Sequence, residues 1–308
     1  MKRLILISAI LFAFLQVNAQ YVYHTLDNGK KVQGFGVTDS TGALVSNFSV
    51  DPLIQLSLGN IPGQYTINKF GAAIDGVQTT ATDIWDGADA AATQQIWVAP
   101  VAARKHNIVS TSANDDADPA GSGAQAVQIW GLTSWATPES SEIILLNSTD
   151  SVPTINDYVI IHRMKVIEND STYNINAGDI TATTTFEGTK TAIIQAGEGQ
   201  TLMAIYGIPS TKTALITSFY LNIHDNANPS TAADIDFKLL MNERPDLNPL
   251  TFLNKHSGGS VSLGSSNIQI PFKPYKMCSG PCIIKLQATG SVADLYTSAG
   301  FNLILIDN

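Results

Sequence analysis

Asp234-Ile-Asp-Phe-Lys-Leu-Leu-Met241 sets Ile235, Phe237, Leu239 and Met241 on one side of an extended chain and Asp236, Lys238 and Leu240 on the other. Alternation of this kind is the period of a β-strand with one buried face, and it does not fit the ~3.6-residue period of a helix. Asn267-Ile-Gln-Ile-Pro-Phe272 repeats the pattern, with Ile268, Ile270 and Phe272 together. Residues 214–223 are apolar and aromatic apart from Thr217-Ser218, and 301–306 is a compact apolar run, as a buried final strand would be. Further strand candidates lie at 141–146, 158–167, 179–186, 191–195 and 202–206, and Gly, Pro, Asn and Asp interrupt the runs at short intervals. Many short strands separated by turn signals predict an all-β protein. Its expected form is an antiparallel β-sandwich or jelly-roll-like body, in one sandwich or in two that divide near 188–200.

Composition agrees with that class. The chain has 308 residues, 44% hydrophobic and only 14% charged, with a net charge of −9. Thr, Ser, Asn, Gln and Gly take the place of charge, as they do on exposed strand faces and turns. An acidic chain without a basic cluster is a poor partner for a phosphate backbone, so nucleic acid is not expected. Lys2 and Arg3 precede an apolar stretch at 4–15, and Val17-Asn-Ala19 follows. This is the pattern of a cleavable export signal over 1–19, too short to span a bilayer. The expected product is an exported protein without a membrane span. Residues 71–92 are rich in small side chains and hardly strand-like apart from Asp83-Ile-Trp-Asp86, so 20–100 reads as an N-terminal arm and 101–308 as the β body.

Residues that carry chemistry are few. Gly-x-Ser-x-Gly, phosphate-binding and dinucleotide-binding glycine patterns are all lacking, and the histidines His24, His106, His162, His224 and His256 never fall at metal-pair spacing. His162 reads as a half-exposed strand residue. Glu139, Glu142, Glu187, Glu198 and Glu243 are available as carboxylates, but spacing singles out no pair. No catalytic centre and no cofactor are expected. The weak metal candidates are Asp115, Asp116 and Asp118, three carboxylates that could ligate calcium from one loop, although Asp in a turn needs no metal to explain it. Cys278 and Cys282 suit either a structural disulfide across a short turn or two free thiols. The tryptophans Trp85, Trp97, Trp130 and Trp135 are the binding or interface candidates. Trp130 and Trp135 flank a short turn, where exposure would make a sugar-stacking platform and burial a core or subunit interface, the reading favoured here.

In order along the chain, Gly59-Asn-Ile-Pro-Gly-Gln-Tyr-Thr-Ile-Asn-Lys-Phe-Gly71, Asp83-Ile-Trp-Asp-Gly87, Ile108-Val-Ser-Thr-Ser-Ala-Asn-Asp115, Gly197-Glu-Gly-Gln-Thr-Leu-Met-Ala-Ile-Tyr-Gly-Ile-Pro209 and Ser298-Ala-Gly-Phe-Asn-Leu-Ile-Leu-Ile-Asp-Asn308 resemble a family of virion structural proteins of marine-type tailed bacteriophages. The resemblance runs from residue 59 to the end. It implies a component of a particle, such as a head decoration, fibre or tail surface protein, with no catalytic residues to carry over. The export signal departs from that family, whose particles assemble in the cytoplasm. The functional expectation is therefore a non-catalytic building block of a virion or extracellular assembly. Its partners are further copies of itself or other particle proteins. The alternative is a secreted module for glycans or a cell-surface receptor.

Overall fold

The computed structural model describes residues 19–25, 31–37, 52–87, 94–170, 175–224, 233–262 and 265–308. The expected signal segment up to residue 18 lies outside them. By contact the chain divides into two units, Met1–Asn60 and Ile61–Asn308. In the first, β1 (Ala19–Thr25) and β2 (Lys31–Val37) form an antiparallel hairpin, with Ala19 opposite Val37 and Thr25 opposite Lys31. The six-residue helix α1 (Pro52–Ser57) follows.

The second unit is all-β and antiparallel, as the alternation predicts. Its strands in chain order are β3 (Gln64–Val77), β4 (Thr82–Asp83), β5 (His106–Ser110), β6 (Ala124–Leu132), β7 (Ser140–Leu145), β8 (Val152–Pro153), β9 (Ile160–Asn169), β10 (Ile180–Thr184) and β11 (Lys190–Ile194). They continue with β12 (Ile205–Ile208), β13 (Lys212–His224), β14 (Ala233–Asn242), β15 (Leu253–Ser262), β16 (Ser265–Ser279), β17 (Cys282–Gly290) and β18 (Leu295–Asp307). They build four sheets, ordered β16-β13-β18-β3, β12-β17-β14-β15 with β4 beside β17, β11-β10-β5-β8, and β7-β6-β9. The sheets are disposed like the four blades of a propeller-like ring.

Two hydrophobic cores hold the sheets together. The first joins Phe219, Phe301 and Phe272 from one sheet to Phe237, Leu239 and Ile284 from the next. Phe219 meets Phe237 edge-on at 5.5 Å, a favoured aromatic geometry. The second gathers Trp85, Trp97, Ile108, Ile129, Tyr158, Met164 and Ile180. One sheet serves both cores. β17 sends Ile284 and Leu286 to the first and Ile283 to the second, and β12 sends Ile208 to the first and Ile205 to the second. Successive side chains of a strand point to opposite faces, so a strand with a core on each side must be apolar at nearly every position. Cys282-Ile-Ile-Lys-Leu286 is such a run, and all five residues are buried.

Two stretches behave differently from their composition. Residues 64–77, read from sequence within the arm, form β3 and pair along β18 from Gln64↔Ile306 to Leu295↔Val77. Small side chains are required there, because a Cβ on Gly71 would lie 2.3 Å from the backbone nitrogen of Ala204. The Gly- and Ser-rich stretch around 257–262 completes β15. A Cβ on Gly258 would stand 2.6 Å from the Phe237 ring, so the glycine leaves room for a core aromatic on the neighbouring strand.

Cys278 and Cys282 are joined by a disulfide that closes the turn between β16 and β17. Closing so short a loop restricts the unfolded chain by about 2 kcal/mol on the chain-entropy estimate. The Cys278→Ser/Cys282→Ser protein should therefore unfold in urea with stability lowered by about that amount. A change below about 0.5 kcal/mol would show that strand pairing alone holds the turn.

Candidate functional site: a polar cleft beside β3 and β9

The site grows from an irregularity in β9. Trp130 pairs with Arg163 and Gly131 with Ile161, so His162 is an extra residue without a partner on β6. Such a bulge re-aims a side chain out of the regular alternation. Here it presents His162 beside Arg163, which alternation would have placed on the opposite face. Together with β3, β6 and the chain at 200–206, these residues line a cleft of about 320 Å³. Its walls are Lys69, Phe70, Trp130, Glu139, His162, Arg163, Gln200, Thr201 and Tyr206, with Asn68 and Thr66 at the rim.

The polar groups form a connected set. The His162 ring nitrogen Nε2 lies 2.5 Å from Glu139 Oε2, and the ring rests against Tyr206 with centroids 4.5 Å apart. The Lys69 ammonium donates to the His162 carbonyl oxygen. The Arg163 guanidinium lies over the Trp130 ring, 5.0 Å from its centroid, a cation–π contact. Two buried atoms are left over. His162 Nδ1 and Asp86 Oδ1 have no hydrogen-bond partner, although Asp86 Oδ2 accepts from the Leu202 N–H at 2.8 Å.

Burial dominates the electrostatics. It lowers the His162 imidazole below its ordinary value, with Lys69 and Arg163 acting the same way and Glu139 opposing. Burial thus favours the neutral ring, in which Nε2 donates to Glu139 and Nδ1 is left as an acceptor. Burial would raise the Glu139 carboxyl, but the bond from His162 and the nearby positive charges of Lys69 and Arg163 help to outweigh it and hold the group below the usual range. Burial and then Arg163 push Lys69 down to about 7, while Asp86 and Glu139 pull it up. Burial pushes Asp86 up to about 8 against the Leu202 N–H and Lys69. Lys69, which lines the cleft, and Asp86 near it thus both titrate close to neutral pH.

The sequence candidates are distributed unevenly around this site. Trp130 lines the cleft, whereas Trp135 is half-buried against the second core, so the two do not make a stacking platform. Trp85 and Trp97, candidates for an interface, are enclosed in this chain's own core at 0% and 1% exposure. The Trp97 indole N–H donates to the Thr191 carbonyl at 2.8 Å. His162 is buried at 2% exposure, not half-exposed as its mid-strand position suggests. Of the carboxylates, Glu139 enters the cleft and Glu142 instead accepts from the Ile155 N–H at 2.7 Å.

Asp115, read as a weak calcium candidate, is fully buried with both oxygens engaged. Oδ1 accepts from the Ala124 and Ala177 N–H groups, each at 2.8 Å, and Oδ2 from Ser110 Oγ at 2.6 Å and the Gly178 N–H at 2.9 Å. Asp116 Oδ1 accepts from the Asp118 N–H at 3.1 Å, a local turn bond. Among the described residues no group of three or more His, Cys, Asp or Glu is placed to hold a metal ion.

No family model and no curated protein matches this chain. Among solved structures, a chain from the crystal structure of the infectious bursal disease virus VP2 subviral particle is 11% identical and aligns over 84% of this chain and 78% of its own. Its TM-score of 0.18 is too low to carry an argument about fold or function.

Proposed function

We propose that this protein is an exported, non-catalytic binding module that displays a glycan-sized polar cleft on a rigid β scaffold. One observation supports this reading above the others: the cleft joins a tryptophan to a set of partly unsatisfied polar side chains, most of them held by strands. Ligand sites combine an apolar wall with a few convergent polar groups, and volumes of about 300 Å³ and above are usual for them. Trp130 and Phe70 offer ring surface, Asn68, Gln200 and Thr201 offer hydrogen bonds, and His162 Nδ1 offers a buried acceptor for a hydroxyl. The Cys278–Cys282 bridge accords with an oxidising compartment, as export requires.

A glycan array probed with protein beginning at Gln20 tests the reading. Hits are expected, and Trp130→Ala should weaken them at least about tenfold by removing the ring wall and the support of Arg163. An array without hits, or hits untouched by Trp130→Ala in a protein that still melts cooperatively, would sink it.

A second reading, the self-associating building block of a particle, rests on β7. This strand ends its sheet and exposes Ile143 and Leu145, at 54% and 60%, on one face. An apolar edge strand invites pairing with another chain. Light scattering after size-exclusion chromatography separates the readings. An oligomer dispersed by Ile143→Lys supports assembly, and a monomer at high concentration counts against it.

A further inference from the structure

We infer that the cleft recognises its ligand through a carboxylate, as borne by a uronic or sialic acid residue, held between the Arg163 guanidinium and the Lys69 ammonium. This rests on the binding reading above and names the class of glycan that the site takes.

The argument starts from charge. The protein is acidic, with a net charge of −9, yet the cleft brings Lys69, Arg163 and His162 together with Glu139 as the facing carboxylate. Glu139 is already engaged by His162. The other described arginines, Arg104 and Arg244, are each paired with an acid, Glu187 and Asp246. Arg163 makes no ion pair among the described residues. Its guanidinium lies over the Trp130 ring and lines the cleft, and a guanidinium matches a carboxylate in a bidentate pair. Lys69 is 8% exposed and lines the same cleft, with the His162 carbonyl as its hydrogen-bond acceptor. A buried ammonium is costly without a partner charge, so a ligand anion relieves it.

The remaining polar groups suit a sugar ring attached to that anion. His162 Nδ1 is buried and unpartnered at the wall of the cleft, and in the neutral ring that donates from Nε2 it is an acceptor. Gln200, Thr201 and Asn68 supply both donors and acceptors nearby. The charged and titratable groups facing the ligand are Lys69 from β3, His162 and Arg163 from β9, Glu139 from the chain before β7, and Tyr206 from β12. Asp86 acts on Lys69 from behind. Anion binding favours protonated Lys69, whose ordinary value burial has pulled down to about 7. Affinity for an acidic sugar should accordingly fall as pH rises from about 6 to about 8.5, while affinity for a neutral sugar should not.

Isothermal titration of the full chain with glucuronate, N-acetylneuraminate, glucose, N-acetylglucosamine and a sulfated glucose tests this. The acidic carboxylate sugars should bind at least about tenfold more tightly than their neutral counterparts. Arg163→Ala should erase that preference by about ten- to hundredfold, and Arg163→Lys should retain part of it. Circular dichroism melts confirm that the variants fold. Equal binding of acidic and neutral sugars, or a preference for the sulfate, would overturn the carboxylate inference and leave the glycan reading standing. No binding to any sugar, with an empty glycan array, would remove both.

Discussion

Lys285→Met should destabilise the fold by about 3–5 kcal/mol, because it strands a carboxylate in the interior. Lys285 and Asp83 are buried at 3% and 0% side-chain exposure, with Nζ 2.5 Å from Oδ2. Asp83 Oδ1 also accepts from Gln287 Nε2 at 2.9 Å and Oδ2 from the Trp97 N–H at 2.8 Å. The Lys285 ammonium lies 4.3 Å from the centroid of Phe252. The pair fastens β4 to β17 across 202 residues of sequence, so its loss should loosen the strand that serves both cores. Replacing both members, as in Lys285→Met/Asp83→Leu, should recover most of the loss, since a well-packed apolar pair of similar volume avoids the desolvation of two charges. A double-mutant cycle in urea measures the coupling.

The pH dependence of the Lys285→Met variant carries a definite sign. With its ammonium partner gone, burial raises the folded-state pKa of Asp83 above the unfolded value. The unfolded state then loses its proton first as pH rises, so the variant's deficit should grow as pH rises above the unfolded carboxylate value of about 4. Single variants that cost less than about 1 kcal/mol, or a double variant no better than either single, would show that the pair is not the fastening described.

What the sequence discloses follows from whether a residue's environment is set by its neighbours in the chain. The strand at 234–241 is legible because Ile235, Phe237, Leu239 and Met241 all face one core, and the structure gives β14 over Ala233–Asn242. The runs at 141–146, 191–195 and 301–306 fall on β7, β11 and β18 for the same reason. β3 is hidden because its composition answers to a distant requirement, the close passage of Gly71 against Ala204. β15 is hidden likewise, since Gly258 reflects the bulk of Phe237 on another strand. At the candidate site, Trp130 stands out by residue type alone. His162 does not, because the bulge leaves no mark in Val159-Ile-Ile-His-Arg-Met-Lys-Val166 and its partner Glu139 is 23 residues away. Lys69 is still less legible, 93 residues from the carbonyl that receives its ammonium. The one signal available was a histidine flanked by basic residues in an otherwise apolar strand of an acidic protein. It gains meaning only once β3 is laid beside it.

The largest effect is expected at Asp115, where substitution by alanine should cost about 4 kcal/mol or more. Its carboxylate collects three backbone N–H groups and the Ser110 hydroxyl. These donors come from the end of β5, the start of β6 and the turn before β10, so one side chain ties three segments of the second core's surroundings. Removing it leaves several donors in or near the interior without an acceptor, and each such group costs about 1–3 kcal/mol. Asp115→Asn is the sharper test. It preserves shape but turns one oxygen into an NH₂ group facing N–H and O–H donors, so it should recover little of the loss. Asp116→Ala and Asp118→Ala, on the exposed or half-exposed part of the same loop, should stay within about 1 kcal/mol of the parent. If the loop were a calcium site, the three aspartates would matter alike, and calcium would raise the melting temperature in a manner that chelation reverses. A melting temperature that ignores calcium, with Asp115 alone severe, is the pattern that its hydrogen bonds predict.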